Sequence, residues 1–441
     1  MLSHTKPYKF LLIFFSIILP LKLVAQEVKQ FASVQEIFTY AKQNNLIFKT
    51  NLLQSQLADL TAKTAIGNVF NPKIPVSYQA IDNTKMQVSF LPAEIFGGPS
   101  GSFKEVQFGQ QYNATLSIQP QFEILNVAAW QQIKSAKINQ ALTENNNKLN
   151  EQKLFENINA VYYNILSLQA QAEVLQENLK IATDIKTIVQ NRLQEGIARK
   201  QELNEAEVNE INIQDKIAQL QYVLQQQQLA LSVFFENKLS PKLLESIWNY
   251  NMDTEVPEAN NNLQVKNLDL QADLLQQDIK VSKYQNLPTA SFISMLNYQN
   301  VSNNFFYHSD SRNVSNNYIG LKLNWDLPTT VSKLANTENK KLQLQVLQNT
   351  KTQTQLENEA KNKQLDIDYQ KANSQLKNYQ KIFALKEDTY TKMRNQYQEN
   401  ILALDKLLIA QNDMLVSKLN IVTALSNIGF TKNKIIINNQ L

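Results

Sequence analysis

Residues 191–203 read NRLQEGIARKQEL, and residues 395–407 read NQYQENILALDKL. With Asn191 set against Asn395, Gln194 meets Gln398, Glu195 meets Glu399, Ile197 meets Ile401 and Leu203 meets Leu407. Each copy interrupts a long helical pattern with a short polar run, and Gly196 in one stands where Asn400 stands in the other. Glycine adopts a left-handed backbone freely and asparagine is the next best residue for it. Both runs therefore predict a reversal between two helices, and a chain that writes the same reversal twice carries an internal duplication.

The duplication extends outward. NNLIFKTNLLQSQL at 44–57 parallels NNLQVKNLDLQADL at 261–274, Pro72 parallels Pro288, and LSIQPQF parallels LKLNWDL. Each half reads helix, strand, loop, strand, very long helix, polar turn, helix. The first repeat covers 32–235, with a hairpin about 73–122 and a turn at 196–201. Residues 236–260, with Pro241 and Pro257, form a connector. The second repeat covers 261–430, with a hairpin about 288–327 and a turn at 400–405, and 431–441 reads as a tail.

Proline and glycine mark the helices. From Gln121 to Ser240 there is no Pro and one Gly, Gly196; from Thr329 to Leu441 there is no Pro and one Gly, Gly429. An unbroken helix from Leu125 to Arg192 would span about 100 Å. Apolar residues such as Leu175, Leu179, Ala182, Val189 and Leu193 step by threes, fours and a seven, as in a coiled coil. QYNATLSIQPQF and YIGLKLNWDL instead alternate apolar and polar residues, the pattern of a strand with one dry and one wet face. PVSYQAI at 75–81, running toward Phe90, and TASFISMLNYQ at 289–299 are their partners. Four strands cannot close a barrel, whose smallest membrane form needs about eight. Either the strands lie outside a membrane or several chains share one barrel, and three copies would give twelve strands.

The chain has 441 residues, 43 Lys+Arg against 39 Asp+Glu, two His and no Cys. A net charge of +4 is small for this length and suggests no nucleic-acid partner. Without Cys there is no disulfide, no thiolate metal site and no cysteine to carry a lipid. The Lys-bearing start and the apolar run from Phe10 to Leu19 predict a signal peptide over 1–25. His308 lies in an Asn/Ser loop and paired acids such as Glu205 and Glu207 sit on polar helix faces, so neither a catalytic constellation, a metal site nor a cofactor site is expected, nor a nucleotide motif. The aromatics Tyr78, Tyr112, Phe122, Tyr298, Tyr318 and Trp325 lie at or near strand ends, placed either for the interfacial girdle of a barrel or for a sandwich core.

In order, spacing and duplication, the chain resembles the TolC-type outer-membrane efflux proteins. The resemblance rests on SVQEIFTYAKQNN at 33–45, the Pro-initiated strands, LSIQPQFEI, and the paired QEGIARKQEL and QENILALDKL turns. It implies a mixed α+β membrane protein: a homotrimer with a 12-stranded barrel in the outer membrane of a Gram-negative bacterium, continued by a coiled-coil tunnel across the periplasm. It also implies docking to a periplasmic adaptor and an inner-membrane pump of the RND or ABC type. Gly196, Ile197, Ala198, Arg199 and Glu202, with Asn400, Ile401, Leu402, Ala403 and Asp405, would be the adaptor-docking tips and the gate. Asp405 is matched by Gln201 in the first half, so a ring of acids at the gate is only half supplied. The implied function is a passive exit duct for small molecules. A duct for a type I protein secretion system and a pore-free periplasmic coiled-coil scaffold are the alternatives.

Overall fold

Two helices of equal length dominate the computed structural model. Among its described residues, 27–236, 239–249, 257–327 and 331–440, α3 (Val127–Gln194) and α6 (Val331–Gln398) each hold 68 residues, about 100 Å. The segment expected as a signal peptide lies outside the described residues. Before α3 come β1 (Glu27–Phe31), α1 (Val34–Asn44), α2 (Leu46–Phe70), β2 (Val76–Asp82), β3 (Val88–Pro92), β4 (Phe103–Gln107), β5 (Tyr112–Ile118) and β6 (Gln121–Leu125). After it come α4 (Lys200–Ser232), β7 (Leu239–Leu243), α5 (Leu263–Tyr284), β8 (Thr289–Ser302), β9 (Arg312–Asn324), then α6 and α7 (Leu404–Gln440). Local chemistry sets the starts. Ser33 accepts from the Glu36 amide while the Glu36 carboxylate accepts from Ala32, and Asn126 accepts from Ala129 at 2.9 Å to open α3.

The helices form one layer. α4 packs on α3, α3 on α7 and α7 on α6; farther from the turns, α2 packs on α3, α3 on α5 and α5 on α6. The layer therefore ends in α2 and α4 on one side and α6 on the other. Gly429 meets the ring of Tyr163, where an added Cβ would stand 2.2 Å from a ring carbon. The tyrosine hydroxyl in turn accepts from Asn433 at 2.8 Å.

The strands make four rows. β2 pairs antiparallel with β5, β5 and its continuation β6 pair with β8, and β8 pairs with β9. Pro120 divides the row that the alternation had read as one strand. The row before it also splits: the chain leaves the sheet after Asp82 and forms a separate β3–β4 hairpin. Tyr78, Leu116 and Tyr298 stand in register across three rows, as do Phe122, Phe292 and Leu321 lower down. Ile319, Leu321 and Leu323 share that face, with Ile319 73% and Leu321 78% exposed. The opposite face carries Gln79, Asn113, Thr115, Asn297, Gln299 and Lys322, with Gln299 donating to Asn113 at 2.7 Å. The sheet thus has a dry side, a wet side and two unpaired edges, β2 and β9.

One expectation needs correction. Residues 431–440 are not a tail: they continue α7, with Ile435 and Ile437 buried. Within the connector, β7 pairs in parallel with β1 from Glu27↔Leu239 to Phe31↔Leu243. Phe31 is fully buried, stacked on Phe235 at 5.9 Å. Tyr162 donates its hydroxyl to Glu245 of the connector, and burial followed by that carboxylate pushes the phenol far above its ordinary pKa. Residues 237, 238 and 250–256 of the connector lie outside the described residues.

Gly429→Ala places a methyl inside the Tyr163 ring. The expected cost is about 1–3 kcal/mol from overpacking, seen as a lowered midpoint in thermal unfolding. An unchanged midpoint would show that α3 and α7 are not this close.

Candidate functional site

Each of the two reversals closes with the same backbone hydrogen bonds. In the first, Ile197 N–H donates to Arg192 at 2.8 Å and Gly196 N–H to Leu193 at 3.1 Å; in the second, Ile401 N–H donates to Gln396 at 2.9 Å and Asn400 N–H to Tyr397 at 3.1 Å. Both have the pattern of a Schellman cap, which requires a left-handed residue at its centre. Gly196 has φ of 75° and Asn400 of 64°.

One core joins the turns. Ala198, Leu203, Tyr397, Leu404 and Leu407 are buried together, with Leu402 packed against them. Ile197, Arg199, Ile401, Ala403 and Asp405 remain exposed, so the end surface presents small apolar knobs among charges. Glu202 and Asp405 lie in the first turns of α4 and α7, where the helix N-terminus favours an acid. Asp405 also lies 3.9 Å from Lys406, an exposed pair that contributes little.

One polar link between the turns escaped the sequence. Arg192 Nη1 donates to the Tyr397 carbonyl at 2.7 Å, and its guanidinium lies 4.4 Å from that ring. The Tyr397 hydroxyl reaches Glu202 at 3.4 Å. Burial raises its pKa, with Arg192 opposing the effect. Matching the repeats sets Arg192 against Gln396 and Leu193 against Tyr397, so the signal was a difference between halves. Above the turns Glu210 bridges α4 to α3 by accepting from Thr183 at 2.7 Å and from Lys186. Lys186 and then Thr183 hold its carboxyl below the usual range.

The strand aromatics divide by face. Tyr78, Tyr112, Phe122 and Tyr298 share the dry face; Tyr318 stands opposite Met295 on the wet face and is corrected out of that belt. Trp325 lies just beyond β9 and donates from Nε1 to Asn286 at 3.1 Å. Three unforeseen residues join the outer end: Phe305 and Phe306 pack on Tyr112 at 5.4 and 5.1 Å, and Tyr307 meets Tyr78 hydroxyl to hydroxyl at 3.3 Å. At the helix ends Phe70, Trp130, Tyr284 and Trp325 give one exposed aromatic at each strand–helix junction. His308 sits in an exposed loop, 2.5 Å from Asp310. Among the described residues no group of acids and histidines could hold a metal, and no helix is long and apolar enough to cross a membrane.

Residues 95–234 match the outer membrane efflux protein family. No curated protein matches the chain in sequence. In fold it is similar to the outer membrane protein VceC of Vibrio cholerae (TM-score 0.74, 14% identity, covering 92% of this chain and 95% of that one). It is similar also to the Campylobacter jejuni CmeC outer membrane channel (0.68, 14%, 92% and 84%) and to the open state of the Neisseria gonorrhoeae MtrE outer membrane channel (0.70, 12%, 92% and 88%).

Because the Glu210 carboxyl is depressed in the folded chain, its contribution is present above the ordinary Glu value and is lost as pH falls through the depressed one. Glu210→Gln is expected to flatten the acid limb of the stability–pH curve. An acid limb identical to wild type would mean that the bridge contributes nothing.

Proposed function

We propose that this chain, with its outer membrane efflux protein segment and its channel fold, is the outer-membrane exit duct of a tripartite efflux system. The observation that carries this reading is the four-row sheet, dry on one face, wet on the other and unpaired at both edges. In hydrocarbon each unpaired backbone group costs several kcal/mol, so the sheet must close on copies of itself. Three copies supply twelve rows and a lumen wide enough for water. The dry face with its aromatics meets outer-membrane lipid, and the helices extend into the periplasm.

Edge matching supports a ring of identical copies, each joined head to tail to the next. β2, α2 and α4 lie on one side of the chain, β9 and α6 on the other. Leu46, Leu53, Leu57 and Leu60 of α2 are exposed, and a groove of about 630 Å³ between α5 and α6 offers Leu274, Leu275, Leu342, Val346 and Leu347 to such a neighbour. A pore-free scaffold gives no reason for the exposed leucines and isoleucine of β9.

The duct is passive. Its paired turns at Gly196–Glu202 and Asn400–Asp405 are the closed end, which a periplasmic adaptor meets and opens, with energy from an inner-membrane pump. Opening parts the two turns, and the contact that resists it is Arg192 on Tyr397. The expelled cargo is a small molecule.

Two experiments test this. Purified protein is expected as a trimer in detergent that conducts in planar bilayers. Leu321→Arg, which puts a charge on the lipid face at about 2–4 kcal/mol, is expected to reduce its recovery from the outer membrane. A monomer stable in plain buffer would end the proposal. Arg192→Ala removes a charged hydrogen bond of about 1.5–3 kcal/mol and is expected to raise open probability on the order of tenfold. Unchanged conductance would mean that the closure lies elsewhere.

A further inference from the structure

Charge on the wet face of the sheet is one-sided. Register carries that face from row to row. Glu123 stands opposite Ser291 and Lys322, and Asn113 stands opposite Val301 and Arg312. Lys73 bridges to Gln121, two residues before Glu123, and so joins the same face. Lys73, Lys322 and Arg312 therefore share it with a single acid, Glu123. Asp82 is the other acid of these strands, and it stands opposite Tyr112 on the dry face.

The Glu123 carboxylate is already engaged. It accepts from Lys73 at 3.3 Å and from Asn126 Nδ2 at 2.7 Å. Just past β9, Asp326 is likewise held by Lys333 at 2.6 Å. Lys322 and Arg312 are exposed, and neither forms an ion pair among the described residues. β2, the edge that a neighbouring copy would bring beside β9, adds Ser77, Gln79 and Ile81 to the wet face and no charge. Each chain thus leaves two cations unmatched, and three copies leave six. From Lys322 to Arg312 the strand covers about 34 Å. At a barrel tilt of about 40° that is roughly 26 Å along the axis, close to the height of the apolar band. The two cations of each chain stand at opposite mouths of the lumen.

We propose that the barrel is an anion filter, with Lys322 ringing its inner mouth and Arg312 its outer one. Rings of Lys or Arg select anions as rings of acids select cations. Low-dielectric walls focus the field of such rings, and salt screens it over about 10 Å at 0.1 M. On the duct reading, which this filter presupposes, small anionic molecules leave more readily than cations of equal size.

The test is reversal potential in planar bilayers, with the purified full chain between two potassium chloride solutions of unequal strength. Chloride is expected to permeate several-fold better than potassium at low salt, with the ratio falling as salt rises. Lys322→Gln should lower the ratio, and Lys322→Glu combined with Arg312→Glu should bring it below one. Both positions are exposed on polar surface, so trimer recovery should be unchanged. Lys322→Gln, which keeps the wall polar and adds no acid, decides the matter if the double variant fails to assemble. Equal permeability in the wild type, or a ratio that these variants leave unchanged, would overturn the filter while the duct stands. Absence of any conducting trimer would overturn both.

Discussion

The unpaired sides of β2 and β9 constrain everything else in this protein. In water an open strand edge is a modest liability, met by short strands or charge. In hydrocarbon the same row of amides and carbonyls is forbidden. On the proposed reading, the chain resolves this by exporting the problem to its neighbours. The sheet sides continue into helix sides, so one join serves both zones. This accounts for the exposed leucines on α2, and for the groove between α5 and α6.

The parts of this fold that were legible in the sequence are those where physical chemistry leaves few residue choices. A left-handed residue must close each turn, so Gly196 and Asn400 mark them. The long helices show as stretches from which proline is missing. β5 and β9 alternate cleanly because each has one wet face. β8 was harder, since FISML at 292–296 carries apolar residues on both faces. The β1–β7 pair was invisible: two five-residue strands, one with a proline, meet across some two hundred residues. The Arg192–Tyr397 contact was hidden by the repeat itself, because alignment draws attention to what the halves share. Residues 431–440 were misread because their polar composition masked Ile435 and Ile437, which face the core.

The long helices meet a second hazard, sliding. A smooth apolar seam between helices of about 100 Å would fit almost as well one turn out of register. Buried amides on α3 prevent this. Asn145, Gln152 and Asn159 recur every seven residues, and each is buried. Asn145 donates to Leu263 at the start of α5 at 3.1 Å, Gln152 to Asn438 at 2.6 Å and Asn159 to Phe430 at 2.9 Å, both in α7. A one-turn slip would strand all three amides at once, and buried amides without partners are costly.

The parallel pairing of β1 with β7 has a consequence for the order in which the molecule is made. The amino-terminal strand has no partner until Leu239–Leu243 has been synthesised. Until then Phe31, which ends fully buried, has no lid. Closing so long a loop is entropically slow, and contacts of this sequence separation delay folding. The clasp that brackets the first repeat is thus fastened late, only once the whole of that repeat has been made.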